Sequence, residues 1–415
     1  MDSFNSSTLP FKASKHQAAG HDGCMTSDSL FIKPTTRQEL DFYTETVRRD
    51  VVKEESSEEG VPLGTLLSHW MPTFLGSLQK GELSTDSISG DLLTSSAWQD
   101  NALVQDDKEY IVLSNLYHGF KKPSILDIKL GSRLTDDAVT PLEKIQRLQK
   151  VSESTTSGSH SFRICGMKVY NGDDETKPNE LFTGMNNTIA VANGEYGDDS
   201  SESKSSHKYL VYDKFFGRSL DSKTIQQGLK LYFKPILSNK PIFVCLLTNL
   251  ILRLQLIFNC LLDCDTRMYS ASLLFIYESD PEVLSQVAIA DYQDHDPLVK
   301  EFDLSDDDDD DDDDGKDEDK DKDEGEGEEE DGSDADAVDS VGLDNVAKAY
   351  NIVKQANSES VDPKGEKNAS RTPLSSLHLI DFAHSKYVDG EGYDENVVEG
   401  VENLIKILED IKSSY

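Results

Sequence analysis

The stretch PSILDIKLG at Pro123–Gly131 predicts a β-strand that is buried on both of its faces. Its apolar residues crowd together instead of alternating with polar ones, and a proline and a glycine bound the run. Asp127 and Lys129 are the exceptions, and because they are two residues apart their side chains leave the strand on the same face. Burying both charges costs on the order of several kcal/mol unless each has a partner. The two residues are therefore either a structural ion pair or the floor of a polar site.

The spacing P-x-x-x-D-x-K-x-G is the signature of the inositol polyphosphate kinases, and this stretch fills each of its fixed positions. Two later stretches resemble other motifs of that family, in the family's order. Ser270–Leu274, SASLL, resembles its S-S-L-L strand, with Ala271 in place of the first serine of the pair, and Ile380–His384, IDFAH, resembles its I-D-F-x-H. The resemblance runs from about Gln17 to Ser413. The chain is most similar to the fungal multikinases of the family in its length, its segment AAGHDG and its acidic insert.

This resemblance implies an α+β fold of two lobes, distantly similar to protein kinases, with ATP in the cleft between them. We expect an N-terminal lobe over 13–116 and a C-terminal lobe over 117–290, which includes an inositol-phosphate-binding segment at 132–161. A disordered acidic insert is expected over 291–371, and the C-terminal lobe ends with 372–415.

The charge of the chain is strongly asymmetric. Its formal net charge is −38, and Asp303–Asp339 holds 24 acidic and 3 basic residues, which leaves −17 for the remainder. Nine consecutive aspartates, Asp306–Asp314, cannot bury apolar surface and repel one another, so disorder is expected there. The run lacks the loop spacing of an ordered calcium site, so any calcium binding should be weak. An acidic remainder argues against direct nucleic-acid binding, and a polyanionic substrate needs a local basic pocket.

Cysteine usage and hydropathy indicate a protein of a reducing compartment. The five cysteines are odd in number and lack C-x-x-C spacing, which indicates free thiols. We interpret Cys260 and Cys264 as buried small hydrophobic residues rather than zinc ligands. Ile242–Leu262 is apolar enough to suggest a membrane span, but Asn249 and Arg253 lie within it. We predict a buried helix in which an internal partner holds Arg253, and no membrane association. Location in the nucleus and cytoplasm is expected.

Candidates for the ATP site follow from the first strands. A turn at Gln17–Gly23 precedes the strand SLFIK, and the resemblance makes Lys33 the lysine that holds the ATP phosphates. On the following helix, predicted to begin after Thr36, either Glu39 or Glu45 orients Lys33, or both belong to a solvated face. The strand YIVLSNLY leads into the hinge between lobes, where the resemblance places backbone contacts to adenine at Ser114 and Leu116.

A basic helix is the candidate for the substrate site. In Thr140–Val151, Thr140 is the expected N-cap, and Lys144, Arg147 and Lys150 recur at intervals of three. They form either an anion-binding face or an ordinary solvated face. The resemblance places the inositol phosphate on this segment, which is short and so predicts an open, tolerant pocket.

The resemblance also implies the catalytic roles. Asp127 would accept or orient the proton of the attacking hydroxyl, and Lys129 would lie between the substrate and the γ-phosphate. Asp381 would bind Mg²⁺, which prefers one or two carboxylates plus phosphate oxygens. Ser272 would lie near the metal and the phosphates, and His384 would contact the substrate.

The expected function is ATP-dependent phosphorylation of inositol trisphosphate and tetrakisphosphate toward the pentakisphosphate. One alternative is an inositol hexakisphosphate kinase, which shares the three motifs. Another is a scaffold whose acidic tract recruits nuclear transcription factors. Fungal members of the family are associated with the transcriptional control of arginine metabolism, so both roles can coexist.

Overall fold

The computed structural model describes residues 12–14, 23–27, 29–57, 60–79, 108–172, 189–194, 207–287, 289 and 373–415. Its strands are β1 Lys12–Ala13, β2 Met25–Ser27, β3 Leu30–Pro34, β4 Phe74–Gln79, β5 Glu109–Ser114, β6 Pro123–Leu130, β7 Phe162–Gly172, β8 Ile189–Gly194, β9 His207–Tyr212, β10 Thr266–Met268, β11 Ser272–Glu278, β12 Ser375–Ile380 and β13 Ser385–Tyr387. Its α-helices are α1 Arg37–Ser56, α2 Leu142–Glu153, α3 Thr156–His160, α4 Lys214–Ser219, α5 Ile225–Tyr232, α6 Lys240–Leu262, α7 Pro281–Ser285 and α8 Glu395–Ser413. The acidic insert predicted over 291–371 and most of the turn predicted at Gln17–Gly23 lie outside the described residues.

The N-terminal lobe is an antiparallel sheet with the strand order β1-β2-β3-β5-β4, against which α1 packs. Thr36 caps α1 as predicted, because its hydroxyl accepts a hydrogen bond from the Glu39 amide at 3.2 Å. Strand β4 was not predicted from the sequence, and it pairs with β5 through Ser77 and Ile111. Gly76, with φ of +135°, lies at a register shift in β4, and this break hides the alternation on which a sequence prediction depends.

The C-terminal lobe is a six-stranded sheet with the order β12-β11-β6-β7-β9-β8, and β6 lies among its central strands. Asp127 of β6 lies opposite Leu274 of β11 and Gly166 of β7. All of β6 except Lys129 is buried, as predicted. Leu126, Ile128 and Leu130 face the main core, whereas Ile125 joins a second apolar cluster that faces the cleft.

Helix α6 is the central helix of this core, as predicted for Ile242–Leu262. It is long and apolar enough to cross a membrane, but most of its residues are buried, and it packs against α8 and β12. Arg253 is 8% exposed and donates to the Ser375 hydroxyl at 2.8 Å. The predicted internal partner for this buried charge is therefore present.

One helix start differs from the prediction for a local reason. Helix α2 begins at Leu142, with Pro141 in the N-cap position, so Thr140 is not its cap. At the start of α3 the Thr155 hydroxyl accepts a hydrogen bond from the Ser157 amide. At the start of α4 the Asp213 carboxylate accepts hydrogen bonds from the amides of Phe215 and Phe216.

Candidate active site

A cleft with an empty volume of about 660 Å³ lies between the two sheets. Five of the predicted site residues line it: Lys33, Ser114, Leu116, Asp127 and Asp381. Apolar side chains form much of the remaining wall, among them Phe31, Leu113, Tyr117, Leu274 and Ile380. The arrangement provides an apolar slot for a flat ring at the hinge and charged groups at the opposite end.

Lys33 connects the two lobes at the charged end of this cleft. Its ammonium lies 2.9 Å from Glu39 Oε1 of α1 and 2.7 Å from Asp381 Oδ1, which directly follows β12. Burial alone would lower the pKa of Lys33, but the carboxylates of Asp381 and Glu39 outweigh burial and raise the pKa above its ordinary value. Lys33 is therefore a fixed cation facing the cleft.

Glu39 holds this cluster together from behind. It is 1% exposed, and its Oε1 also accepts a hydrogen bond from the Phe382 amide at 3.2 Å. Thr35 donates to Oε2 of the same carboxylate at 3.0 Å. Of the two glutamates left open by the sequence, Glu39 is thus the one that orients Lys33, whereas Glu45 pairs with Arg48 and Arg49 on the outer side of α1.

We expect Glu39→Gln to lower kcat and weaken nucleotide binding. Loss of a hydrogen bond to a charged group costs roughly 1.5–3 kcal/mol, which corresponds to a decrease in kcat/KM for ATP of about tenfold to a hundredfold. Steady-state kinetics with varied ATP and a thermal melt would measure this. Glu45→Gln, on the same helix, is the matched control and should be close to wild type; equal losses in both variants would contradict the assignment.

Asp127 and Lys129 project from β6 on the cleft side of the sheet. Asp127 is 4% exposed and belongs to the cleft wall. The Lys129 ammonium donates to the Ser270 carbonyl oxygen at 2.6 Å. Ser270 has a φ of +64°, so a residue in a disfavoured backbone conformation aims its carbonyl at this lysine.

Arg163 and Cys165 of β7 were not among the site residues predicted from the sequence. Arg163 lies opposite Lys129, is 7% exposed and donates to the Ser157 hydroxyl at 2.7 Å. Burial raises the pKa of the Cys165 thiol to about 11, and the Asp127 carboxylate adds to the rise, so this thiol is neutral. Only the strand register brings these residues beside the D-x-K motif, and the sequence carries no separate signal for them.

Ser272 lies opposite Lys129 on the other neighbouring strand. It is fully buried, and its hydroxyl oxygen has no hydrogen-bond partner among the described residues. A buried polar atom of this kind is suited to a bound ligand or ion. Ser272 is not part of the cleft wall itself, so the predicted place near metal and phosphates stays a prediction.

The residues at the charged end fit a divalent cation held together with a nucleotide. Within the described ranges no group of three or more His, Cys, Asp or Glu residues forms a complete metal site. Asp381 instead offers one carboxylate, its side chain 19% exposed. Such a sparse protein contribution matches the preference of Mg²⁺ for one or two carboxylates plus phosphate oxygens.

His384 lies near Lys144 and Lys129, whose charges act on its ring. Burial lowers the pKa of His384, and the charges of Lys144 and Lys129 lower it further, so the ring is neutral at physiological pH. Arg147 and Lys150 are exposed further along α2, whereas Lys144 is half-buried. A three-residue interval falls about 60° short of a full turn, so the three cations fan out over about 120° and do not share one narrow face.

The amide and the hydroxyl of Ser114 are both hydrogen-bonded within the N-terminal lobe. Its amide donates to the Thr73 carbonyl oxygen at 3.0 Å, and its hydroxyl accepts from the Thr73 amide at 2.9 Å. The next amide, that of Asn115, donates to the Ser29 carbonyl oxygen. The Ser114 amide is therefore engaged within the lobe, and the backbone contacts to adenine expected at Ser114 and Leu116 stay a prediction.

Comparisons with known proteins agree with this geometry. A sequence model described as inositol polyphosphate kinase matches residues 110–409. The inositol polyphosphate multikinase of Saccharomyces cerevisiae is 39% identical over 98% of this chain and 99% of its own length. That of Schizosaccharomyces pombe is 29% identical over 65% of this chain and 80% of its own, and inositol hexakisphosphate kinase 1 of Mus musculus is 24% identical over 73% and 52%.

A solved structure gives the same result at the level of the fold. The crystal structure of an inositol phosphate multikinase from Saccharomyces cerevisiae, in complex with ADP and Mn²⁺, superposes with a TM-score of 0.50 and 29% identity. The match covers 92% of this chain and 99% of that one. Nucleotide and divalent metal are thus used by this kinase family. With a family match over most of the chain and a full-length relative at 39% identity, the chain belongs to the inositol polyphosphate kinase family.

Proposed function

We propose that this chain is a multikinase that transfers the γ-phosphoryl group of ATP to ring hydroxyls of inositol trisphosphate and tetrakisphosphate, toward the pentakisphosphate. The observation that carries the proposal is the position of Asp127 and Lys129. Asp127 lines the cleft together with the joined Lys33 and Asp381, and Lys129 leaves the same face of β6, where its charge and that of Lys144 act on His384. The names of the two fungal relatives support the same activity.

In this proposal the chain's own residues perform four tasks. Asp127 orients the attacking hydroxyl and takes its proton as the hydroxyl oxygen bonds to the γ-phosphorus and the bond to the bridging oxygen of ADP breaks. Lys129 counters the charge that develops on the transferred group. Lys33 holds the nucleotide phosphates. Lys144 and the neutral His384 contact the substrate, whereas Arg147 and Lys150 attract it from further out along α2.

Asp381 and Ser272 would hold the divalent cation together with the phosphates, and Mg²⁺ is the ion proposed. When bound, such a cation neutralises phosphate charge and aligns the leaving group. Leu116 donates its amide to the adenine ring, since the amides of Ser114 and Asn115 are engaged elsewhere.

The test is incubation of the purified chain with ATP, Mg²⁺ and a panel of inositol phosphates, with products separated by anion-exchange chromatography. We expect phosphorylation of trisphosphate and tetrakisphosphate at more than one ring position. Inositol hexakisphosphate added to the panel distinguishes the alternative, because a hexakisphosphate kinase would form pyrophosphates from it. The chain is 39% identical to the multikinase of Saccharomyces cerevisiae and 24% identical to the mouse hexakisphosphate kinase 1, which favours the multikinase outcome.

A second proposal concerns the acidic tract Asp303–Asp339, whose net charge of −21 is suited to basic protein partners. We propose that it binds nuclear transcription factors and that the chain works in the nucleus and the cytoplasm. The resemblance to fungal family members extends this proposal to the control of arginine metabolism.

Replacing Asp303–Asp339 with a short Gly/Ser linker should separate the two roles. The kcat for an inositol trisphosphate should stay close to wild type and its KM should fall modestly, because less negative charge repels the substrate. Binding to basic nuclear proteins should weaken, and added salt should have the same effect on the intact chain. Loss of kinase activity in a variant that still folds would assign the tract to the active site.

A further inference from the structure

Helix α8 carries a stripe of residues that contact both ends of the segment 132–161. Asn396, Glu399, Gly400 and Asn403 are spaced so that they share one face of the helix. The segment leaves β6 directly after the D-x-K motif and returns to the sheet at β7. Its two ends are therefore adjacent, and α8 lies against both of them.

Asn396 holds the outgoing end. Its Oδ1 accepts hydrogen bonds from the Ser132 amide at 2.7 Å, the Ser132 hydroxyl at 3.2 Å and the Arg133 amide at 2.8 Å. Its Nδ2 donates to the Arg133 carbonyl oxygen at 3.0 Å. One amide side chain thus fixes two consecutive residues of the segment through both of its functional groups.

Gly131 makes this contact possible. It has a φ of +89°, and a Cβ atom at this position would lie 2.2 Å from Asn396 Nδ2. The final glycine of the D-x-K-x-G motif is therefore required by a side chain of α8 as well as by its backbone conformation.

The returning end is held by the next turns of α8. The Ser161 hydroxyl donates to Glu399 Oε2 at 2.9 Å, and Asn403 Nδ2 donates to the His160 carbonyl oxygen at 3.1 Å. A Cβ atom at Gly400 would lie 2.2 Å from the Ser161 carbonyl oxygen, which itself accepts from the Gly131 amide at 2.6 Å. Both ends of the segment therefore rest on the same helix.

Because Lys144 lies on this segment, its distance from Lys129 and Asp127 depends on how the segment is anchored. We propose that Asn396 is a positioning residue that fixes segment 132–161 relative to Asp127 and thereby decides which ring hydroxyl of the inositol phosphate is presented for transfer. This inference rests on the proposed function, since it assumes that the segment binds the inositol phosphate. Asn396 itself contacts neither nucleotide nor reacting atoms.

The test compares Asn396→Ala, Asn396→Asp and the control Lys406→Ala with wild type. Lys406 is an exposed residue of the same helix, paired only with Glu402 in the described structure, and its variant should match wild type. For Asn396→Ala we expect the KM for inositol trisphosphate to rise roughly tenfold or more, as expected for a misplaced binding element. The ratio of product isomers should change, whereas the affinity for a fluorescent ADP analogue should not. Asn396→Asp keeps the accepting oxygen for Ser132 and Arg133 and should restore much of the wild-type ratio.

Hydrogen exchange supplies a readout that does not depend on activity. The amides of Ser132 and Arg133 should exchange faster in Asn396→Ala and not in Lys406→Ala. If Asn396→Ala does not fold, Asn396→Ser replaces it as the variant expected to lose the contact, and Asn396→Asp remains the conservative variant.

The possible failures are distinguishable. A wild-type chain that phosphorylates no inositol phosphate would overturn the proposed function. A wild-type chain that does so, together with an Asn396→Ala variant of unchanged substrate KM and isomer ratio, would overturn this inference alone. Equal losses of nucleotide binding and substrate binding in Asn396→Ala would show that Asn396 has a general structural role, and this result would also overturn the inference.

Discussion

Asp127→Asn should abolish phosphoryl transfer without unfolding the protein. The substitution keeps the size of the side chain and removes its charge and basicity, and general base catalysis contributes about 10² to 10⁴ in rate. Asp127 is 4% exposed and belongs to the cleft wall, so a neutral amide there should leave the fold intact. Single-turnover rates at saturating ATP, together with thermal melts, measure both effects.

Lys129→Met tests the other half of the motif, because methionine keeps the apolar stem and removes the ammonium that donates to the Ser270 carbonyl oxygen. We expect a loss of roughly 10² or more in kcat, comparable to removal of a group that stabilises transition-state charge. The double variant then separates catalysis from structure. A structural ion pair would lose stability in each single variant and regain it when both charges are removed, and the folded protein would stay active. A catalytic pair gives three folded, inactive proteins.

The motif strand shows how far local sequence determines this fold. Pro123–Leu130 could be predicted as a strand buried on both faces, because a short and nearly continuous apolar run is typical of such strands. Lys33 and Asp381 could be named only through motifs. Their contact joins positions 348 residues apart in the chain, and no local pattern encodes a separation of that size.

Residues whose role depends on register or on a distant helix could not be found from the sequence. Arg163 lies beside Lys129 because β7 pairs antiparallel with β6 across a bulge. Asn396 lies in the first turn of α8, an amphipathic helix. Hydrophobic periodicity identifies the buried face of a helix but says little about which polar residues hold a neighbouring loop.

Backbone strain is concentrated at the same site. Among the described residues, those other than glycine with positive φ are Ser161, Ser270 and Asp381. Each makes a contact identified above: Ser161 with Glu399, Ser270 with Lys129 and Asp381 with Lys33. Such conformations cost on the order of 1–3 kcal/mol each and persist where the surrounding structure enforces them. The strain at Ser270 and Asp381 indicates that Lys129 and Lys33 are held in place before substrates bind, whereas Ser161 is the left-handed C-cap of α3.

Asp381→Asn should raise the metal concentration required for activity and lower kcat by orders of magnitude. Asparagine tolerates the φ of +65° at this position, so the backbone should be retained while the carboxylate charge is lost. A cation held by one protein carboxylate and by phosphate oxygens then loses the protein's share of its ligands. Magnesium and manganese titrations at fixed ATP would measure the shift.

Two further variants separate metal binding from the support that Asp381 gives to Lys33, whose ammonium lies 2.7 Å away. Lys33→Met should raise the KM for ATP and leave the metal titration in place. Asp389→Asn removes an exposed carboxylate that pairs with Arg49 and should match wild type. If Asp381→Asn lowers kcat with an unchanged metal titration, Asp381 acts through Lys33 and not through the metal. If the metal concentration required for activity rises in Asp381→Asn and in neither of the other two variants, the cation is assigned to this carboxylate. Asp381→Asn is the one variant of the three that removes the Asp381 charge.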